Sequence, residues 1–202
     1  MLKLYYDPRS TFSRRVVIAL AEKEILHKAV VVNMAAREHR APEYLAINPH
    51  GRVPAIEEDE FVLYESAAIL RYLDETRPER PLLPADTKQR ALVDMFVHLC
   101  DGQIARQVGV IIFPKRFLPR ERWNLELMAA ASKDIQAHLD FLDRRLVGRD
   151  YLVADRFTMA DLVYLPFLHF LPLMDVTPSY TIAAWTKRLL TRPSALKSAP
   201  DM

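Results

Sequence analysis

Residues 2–32 read LKLYYDPRSTFSRRVVIALAEKEILHKAVVV, and the order of patterns inside this stretch decides the fold. Residues 2–6 are a short apolar run rich in strand formers. Val16, Ala19 and Leu20 then fall at i, i+3 and i+4, as do Val17, Leu20 and Ala21, which is the period of an amphipathic helix. Residues 29–32 form a run rich in β-branched side chains with no polar alternation, the pattern of a strand buried on both faces. Strand, helix and strand at this spacing predict a βαβ unit, whose two strands run parallel through a right-handed crossover.

Outward from that unit, residues 33–42 are polar and carry no hydrophobic period. Residues 53–56 and 61–63 read as two strands joined by the acidic turn 57–60, short enough to make the pair antiparallel. Ser66–Thr76 reads as a helix with Ile69, Tyr72 and Leu73 on one face. Residues 1–76 are thus expected to form an α/β domain of order βαβ-ββα. Residues 77–86, RPERPLLPAD, hold three prolines. Each removes a backbone donor and restricts its predecessor, which makes a stiff linker. Beyond it, Leu92, Met95, Phe96 and Leu99 form one helical stripe and Ile135, Leu139, Leu142 and Leu146 another. Residues 158–170 and 181–191 add two further helices, so residues 87–202 are expected to be an all-α domain.

The chain has 202 residues, 50% hydrophobic and 27% charged, which excludes a disordered protein. A net charge of +2 is too balanced for a dedicated nucleic-acid binder. The single cysteine, Cys100, excludes an internal disulfide and a cysteine-rich zinc site and suits a reducing compartment; mid-helix beside Leu99, it reads as core. The six histidines have no metal-ligand spacing, so no metal is expected. The N-terminus lacks the pattern of a secretory signal. The longest apolar stretch, 162–176, is interrupted by Pro166, His169 and Pro172 and falls short of the ~20 clean residues of a membrane span. A soluble, cytoplasmic protein is expected.

Three local features carry chemistry. In residues 48–55, NPHGRVPA, Pro54 opens a strand after a glycine-containing loop. A cis Val53–Pro54 bond is energetically accessible there, and such a turn leaves the Val53 N–H and C=O to pair with an extended peptide. An ordinary trans proline at a strand edge is the alternative. Glu65 and Ser66 stand at a helix start, either as plain capping residues or as a head-group site. In the second case the first N–H groups and the Ser66 hydroxyl take a carboxylate while Glu65 takes an ammonium. Ser10 lies where the first strand turns into the first helix, either as an N-cap or as a hydroxyl aimed at an anion. With its ordinary high pKa it is no general base.

Taken together these segments resemble the cytosolic glutathione transferases, over almost the whole chain. LYYDPRSTFSRRVVIAL resembles the opening strand and helix of the theta, phi and zeta classes, NPHGRVPA their cis-proline loop, and YESAAILRYL their glutamate-serine motif. RPERPLLPADTKQRA is similar to the interdomain linker. FTMADL at 157–162 is similar to a helix-capping box, in which Thr158 and Asp161 cap each other.

The resemblance implies a thioredoxin-like domain that holds glutathione as co-substrate, with Ser10 hydrogen-bonded to the sulfur as the catalytic residue. It implies Val53, before a cis Pro54, on the cysteinyl backbone, and Glu65 and Ser66 on the γ-glutamyl end. His39 and Arg40 would sit at the glycine carboxylate, and Arg52 at the peptide or that carboxylate. Tyr6 is the alternative for the sulfur contact, followed by Thr11 and Ser13. The implied reaction is attack of the thiolate on a small hydrophobic electrophile, a detoxification chemistry, with Phe12, Ile104, Val108, Ile112 and Phe117 as candidate walls. LDETRPERPLLP, FTMADL and KRLL are zeta-like, which makes a maleylacetoacetate-type isomerase, or else a peroxidase, the nearest enzymatic alternative. Phe12 in place of a cysteine departs from the zeta pattern. A non-catalytic interaction module on the same fold is the third reading. A homodimer is implied, with His50 where some members place a phenylalanine that docks into the neighbouring subunit.

Overall fold

In the computed structural model, which describes residues 1–199, β1 (Lys3–Tyr6) forms two ladders at once. It pairs in parallel with β2 (Lys28–Val31), Leu4 opposite Ala29, and antiparallel with β3 (Ala55–Glu58), Leu4 opposite Ile56. β4 (Phe61–Tyr64) completes the sheet antiparallel to β3, giving the order β2-β1-β3-β4. Side chains alternate across a sheet, so β1 feeds two cores. Leu2, Leu4 and Ile56 meet Val16 and Leu20 of α1 (Thr11–Glu22) and Ile69 and Leu73 of α3 (Ser66–Thr76) on one face. Tyr5 packs with Val32, Tyr44 and Val53 on the other, where α2 (Pro42–Leu45) lies. Full burial of each large aliphatic side chain contributes roughly 1.5–3 kcal/mol.

Two expectations are corrected here. β2 is not buried on both faces: Lys28, Ala29 and Val31 are exposed. The strand forms the sheet edge beside β1 alone, and an unbroken apolar run does not reveal that. Residues 33–42 are not structureless either. They hold a 3-10 turn, Glu38–Arg40, before α2 begins on Pro42, whose fixed φ and missing N–H suit a first helical position.

The chain divides into Met1–Pro81 with the segment that starts at Pro193, and Leu82–Arg192. The division falls inside the proline-rich stretch 77–86. The helical domain expected over 87–202 ends earlier than its reading, because α10 (Pro193–Lys197) packs on α1. Arg14 Nε donates to the Ser198 carbonyl at 2.6 Å, and the Ser194 hydroxyl donates to Glu22.

In the helical unit, α4 (Thr87–Leu99) and α5 (Arg106–Phe117) are joined by a π turn, Cys100–Ala105. Cys100 is fully buried there and its thiol donates to the Val163 carbonyl at 3.4 Å. α6 (Leu125–Leu146) starts on Asn124, whose side chain accepts the Leu127 N–H at 3.0 Å. The single helix expected over 158–170 is two short ones, α7 (Met159–Leu162) and α8 (Leu165–Leu168); Pro166 lacks the N–H a continuous helix requires. α9 (Tyr180–Leu190) closes the unit. Asp161 accepts from the Thr158 N–H at 3.1 Å, the Leu152 N–H at 3.0 Å and the Trp185 indole at 3.0 Å. Burial nevertheless pushes its carboxyl up to about 6. Among the described residues no helix is long and apolar enough to cross a membrane.

Candidate functional site

The turn from β1 into α1 is organised by Asp7, which is 2% exposed. Its carboxylate takes the Arg9 guanidinium twice, at 2.7 and 3.1 Å, together with the N–H groups of Arg9 at 2.9 Å and Met34 at 3.0 Å. Burial alone would raise the Asp7 pKa, but these donors outweigh it and hold the carboxyl below its ordinary value. The Ser10 N–H donates to the Asp7 carbonyl at 3.0 Å. Ser10 then caps α1, its Oγ accepting from the Ser13 N–H at 3.2 Å. The cap uses an acceptor lone pair of the hydroxyl, so the O–H itself remains available as a donor.

Residues 48–54 form the second component. Asn48, 1% exposed, accepts the His50 N–H at 3.0 Å and donates to the Arg52 carbonyl at 2.7 Å. The Tyr44 hydroxyl donates to the same carbonyl at 2.6 Å, and burial pushes the Tyr44 pKa up to about 12. Gly51 has φ +57°, and a Cβ there would lie 2.7 Å from the His39 carbonyl and 2.9 Å from Arg40 Nη1. His39 and Arg40 therefore pack directly against this loop, and Arg40 Nη1 donates to the His50 carbonyl at 3.4 Å. The Val53–Pro54 peptide is cis. β3 pairing begins only at Ala55, and the Val53 N–H and C=O have no hydrogen-bond partner among the described residues.

The third component is the start of α3. Glu65, its N-cap, has φ 71° and ψ 112° and provides no side-chain cap. A non-glycine residue held at positive φ costs on the order of 1–3 kcal/mol. The first N–H groups of α3 are thus left open toward whatever lies beyond Glu65 and Ser66, and a helix start of this kind favours an anion. Arg15, fully buried, reaches across from α1, donates to Ser66 Oγ at 3.2 Å and lies 4.8 Å over the Phe12 ring.

These parts enclose a cleft of about 80 Å³ lined by Phe12, Asn48, Arg52, Val53, Pro54, Glu65 and Ser66. Six of these are residues singled out by sequence; Asn48 is added. Ser10, two positions before Phe12, lies outside that lining and at the N-terminus of α1. Of its alternatives, Ser13 is fully buried and accepts from the Asp7 N–H at 3.4 Å. Tyr6 packs on the core between the sheet, α1 and α3.

Of the candidate apolar walls, Ile104, Val108 and Ile112 are 4%, 2% and 6% exposed and belong to the buried hydrophobic residues of the helical unit. Phe12 and Phe117 present surface, at 37% and 46% exposed. Asp7, Tyr44, Asn48 and Arg15 were not singled out. Asp7-Pro8 carried a turn signal that marks the first, and Asn48 opened a quoted motif. Arg15 and Tyr44 act on partners distant in sequence and carried no local signal.

The chain matches the family model described as "Glutathione S-transferase, N-terminal domain" over residues 9–76 and that described as "Glutathione S-transferase, C-terminal domain" over residues 126–197. A glutathione S-transferase of Silene vulgaris is 32% identical over 96% of this chain and 94% of its own length. Glutathione transferase F2 of Populus trichocarpa superposes with a TM-score of 0.88 at 28% identity, over 98% of this chain and 97% of that one. A glutathione transferase homologue from Sulfitobacter, solved with bound glutathione, superposes with a TM-score of 0.83 at 26% identity, over 98% and 96%.

Proposed function

The chain belongs to the glutathione S-transferase family, and from that premise we propose that it is a serine-type glutathione transferase whose first unit holds the tripeptide across the 48–66 cleft with the thiol against Ser10. The observation that carries this reading is the juxtaposition of an unpaired Val53 main chain with the uncapped start of α3 in one small cleft. Val53 offers the N–H and C=O that an extended peptide needs. Ser66 and the first α3 N–H groups suit the γ-glutamyl carboxylate, and Glu65 suits its ammonium. His39, Arg40 and Arg52 surround the Gly51 loop, where the glycine carboxylate would find its cations.

The chemistry follows from the position of Ser10. A free thiol has a pKa of ~8.5. Bringing it down by about two units needs ~2.7 kcal/mol of preference for the thiolate. A hydrogen bond to a charged group supplies ~1.5–3 kcal/mol, and the N-terminus of α1 adds up to ~2. A hydroxyl and a helix start are sufficient. The thiolate sulfur then forms a bond to carbon of a small hydrophobic electrophile, and the leaving group departs with the electron pair of the bond that breaks. Phe12, which lines the cleft beside Val53 and Pro54, is proposed to contact that substrate. The protein is further proposed to act as a cytoplasmic homodimer in detoxification.

Titration calorimetry with reduced glutathione and conjugation of 1-chloro-2,4-dinitrobenzene test the reading. Saturable heat is expected, weakened about tenfold or more by Ser66→Ala, together with glutathione-dependent conjugation. An absence of both heat and conjugation would overturn it.

A further inference from the structure

Two consecutive arginines of α1 are buried, Arg14 at 2% exposed and Arg15 at 0%. Successive side chains leave a helix about 100° apart, so the pair reaches two different neighbours. Arg14 Nε donates to the Ser198 carbonyl at 2.6 Å, which ties the segment after α10 to α1. Arg15 is turned toward α3. Its Nη1 donates to Ser66 Oγ at 3.2 Å, and its guanidinium carbon lies 4.8 Å from the centre of the Phe12 ring. Ser66 and Phe12 both line the cleft, and Arg15 does not. A full charge is thus buried directly behind two cleft-lining side chains.

Such a charge is costly to hold away from water, and an aliphatic side chain would fill the same space at less cost. The hydrogen bonding at Ser66 shows what the charge does there. A hydroxyl has one donor and two acceptor lone pairs. Arg15 occupies the acceptor side of Ser66 Oγ, and the Ser66 O–H donates to no group among the described residues. That proton is free to meet an acceptor in the cleft. A hydroxyl that accepts from a cation is polarised and donates more strongly to an anion. The Phe12 contact holds the guanidinium in its plane from the other side.

We propose that Arg15 is a positioning residue of this site: acting through Ser66, it sets the preference for a ligand with a carboxylate at the start of α3, the α-carboxylate of the γ-glutamyl group. The proposal rests on the assignment of the cleft to glutathione. Ser10 opens α1 and Ser66 opens α3, so the two hydroxyls serve different groups of the tripeptide, and Arg15 acts on the second without changing the thiol.

The test compares glutathione with 4-aminobutyryl-cysteinylglycine, a thiol that lacks only the α-carboxylate. For each, kcat/KM with 1-chloro-2,4-dinitrobenzene is measured across pH in the full chain. Arg15→Met should lose about tenfold with glutathione and less than about twofold with the analogue, and the midpoint of its pH profile should stay in place. Ser66→Ala should cost about tenfold in the parent but less than about threefold when added to Arg15→Met, because the two residues act as one unit. Arg15→Lys keeps the charge without the planar fork. It should lose a smaller part of the preference for glutathione over the analogue, at least about twofold. If Arg15→Met fails to fold, Arg15→Lys decides: a reduced preference supports the role and the parental preference overturns it. Equal losses with both thiols, a displaced pH midpoint, or full additivity with Ser66→Ala would each overturn the role of Arg15. A parent protein that neither binds nor conjugates glutathione would instead overturn the assignment of the cleft.

Discussion

Replacing Ser10 with alanine removes two interactions that one oxygen makes in different directions. As an acceptor, Oγ caps α1 through the Ser13 N–H at 3.2 Å, and losing such a cap costs about 1 kcal/mol of stability. As a donor in the proposed complex, the hydroxyl would stabilise the thiolate by ~1.5–3 kcal/mol, and its loss, at 1.36 kcal/mol per unit, would raise the bound thiol pKa by about 1–2 units. With that pKa near ~6.5 in the parent, the thiolate fraction at pH 7 falls from about three quarters to between about 3% and 25%. Conjugation at pH 7 should then drop roughly 3- to 25-fold. A less acidic thiol is intrinsically the better nucleophile, so the deficit should close by about pH 9.

That recovery separates loss of a proton-holding contact from loss of shape. Initial rates of conjugation at saturating glutathione, measured from pH 5.5 to 9.5, give the profile, and thiolate absorbance in the binary complex gives the pKa directly. Ser10→Gly separates the two roles of the oxygen, because glycine costs only a few tenths of a kcal/mol at an N-cap. It should share the shifted profile of Ser10→Ala yet unfold later in urea. Ser10→Thr should keep both properties. Tyr6→Phe should leave the profile in place, since the Tyr6 ring is packed on the core. An unshifted profile in Ser10→Ala, or a rate loss that persists undiminished at high pH, refutes the assignment of the thiolate contact to Ser10.

Further outcomes follow from the same geometry. Gly51→Ala forces a Cβ to 2.7 Å from the His39 carbonyl at φ +57°; the KM for glutathione should rise about tenfold with kcat little changed, and urea unfolding should show a loss of about 1–3 kcal/mol. Glu65→Gly relieves φ 71°, so thermal unfolding should move up, while calorimetry should show glutathione binding weakened tenfold or more by loss of the carboxylate. The buried pair of titrating groups in the helical unit should oppose each other. His138, held by Tyr164 at 2.9 Å, is pushed down to about 4 by burial, so its contribution to stability is present above pH 6.5 and is lost as pH falls toward 4. Asp161 is pushed up to about 6, so its protonated form is favoured in the fold and stability is lost as pH rises from 3.8 through 6. Between pH 6 and 4.5 the two largely cancel, and each variant should unmask the other. Relative to the parent, His138→Gln should gain about 2 kcal/mol on acidification and Asp161→Asn should lose about as much, read from urea unfolding monitored by Trp185 fluorescence; parallel pH curves for all three proteins would refute the coupling.

What was legible in the sequence is what is made locally. Ser66–Thr76 is the helix its period predicts, and β1, β4 and the Val53–Pro54 turn follow from residues within a few positions of one another. The candidate cleft is built almost wholly from such features, helix starts and a proline turn, so most of its lining stands in local motifs. The supporting contacts do not, because they join residues far apart in the chain. Arg15 reaches Ser66 across 51 positions and carries no pattern of its own. The candidate apolar walls are not legible in this way. Ile104, Val108 and Ile112 share one helix face, but a period states only that a face exists and not whether core or ligand covers it. The π turn at Cys100–Ala105 sharpens the ambiguity, since its extra residue rotates the following face by about 100° relative to the stripe before it. The stripe read on α4 therefore could not be extended into α5. The part of the proposed reaction assigned to backbone and hydroxyl groups thus rests on local sequence features. The part assigned to apolar surface depends instead on the phase of a helix, which no local motif fixes.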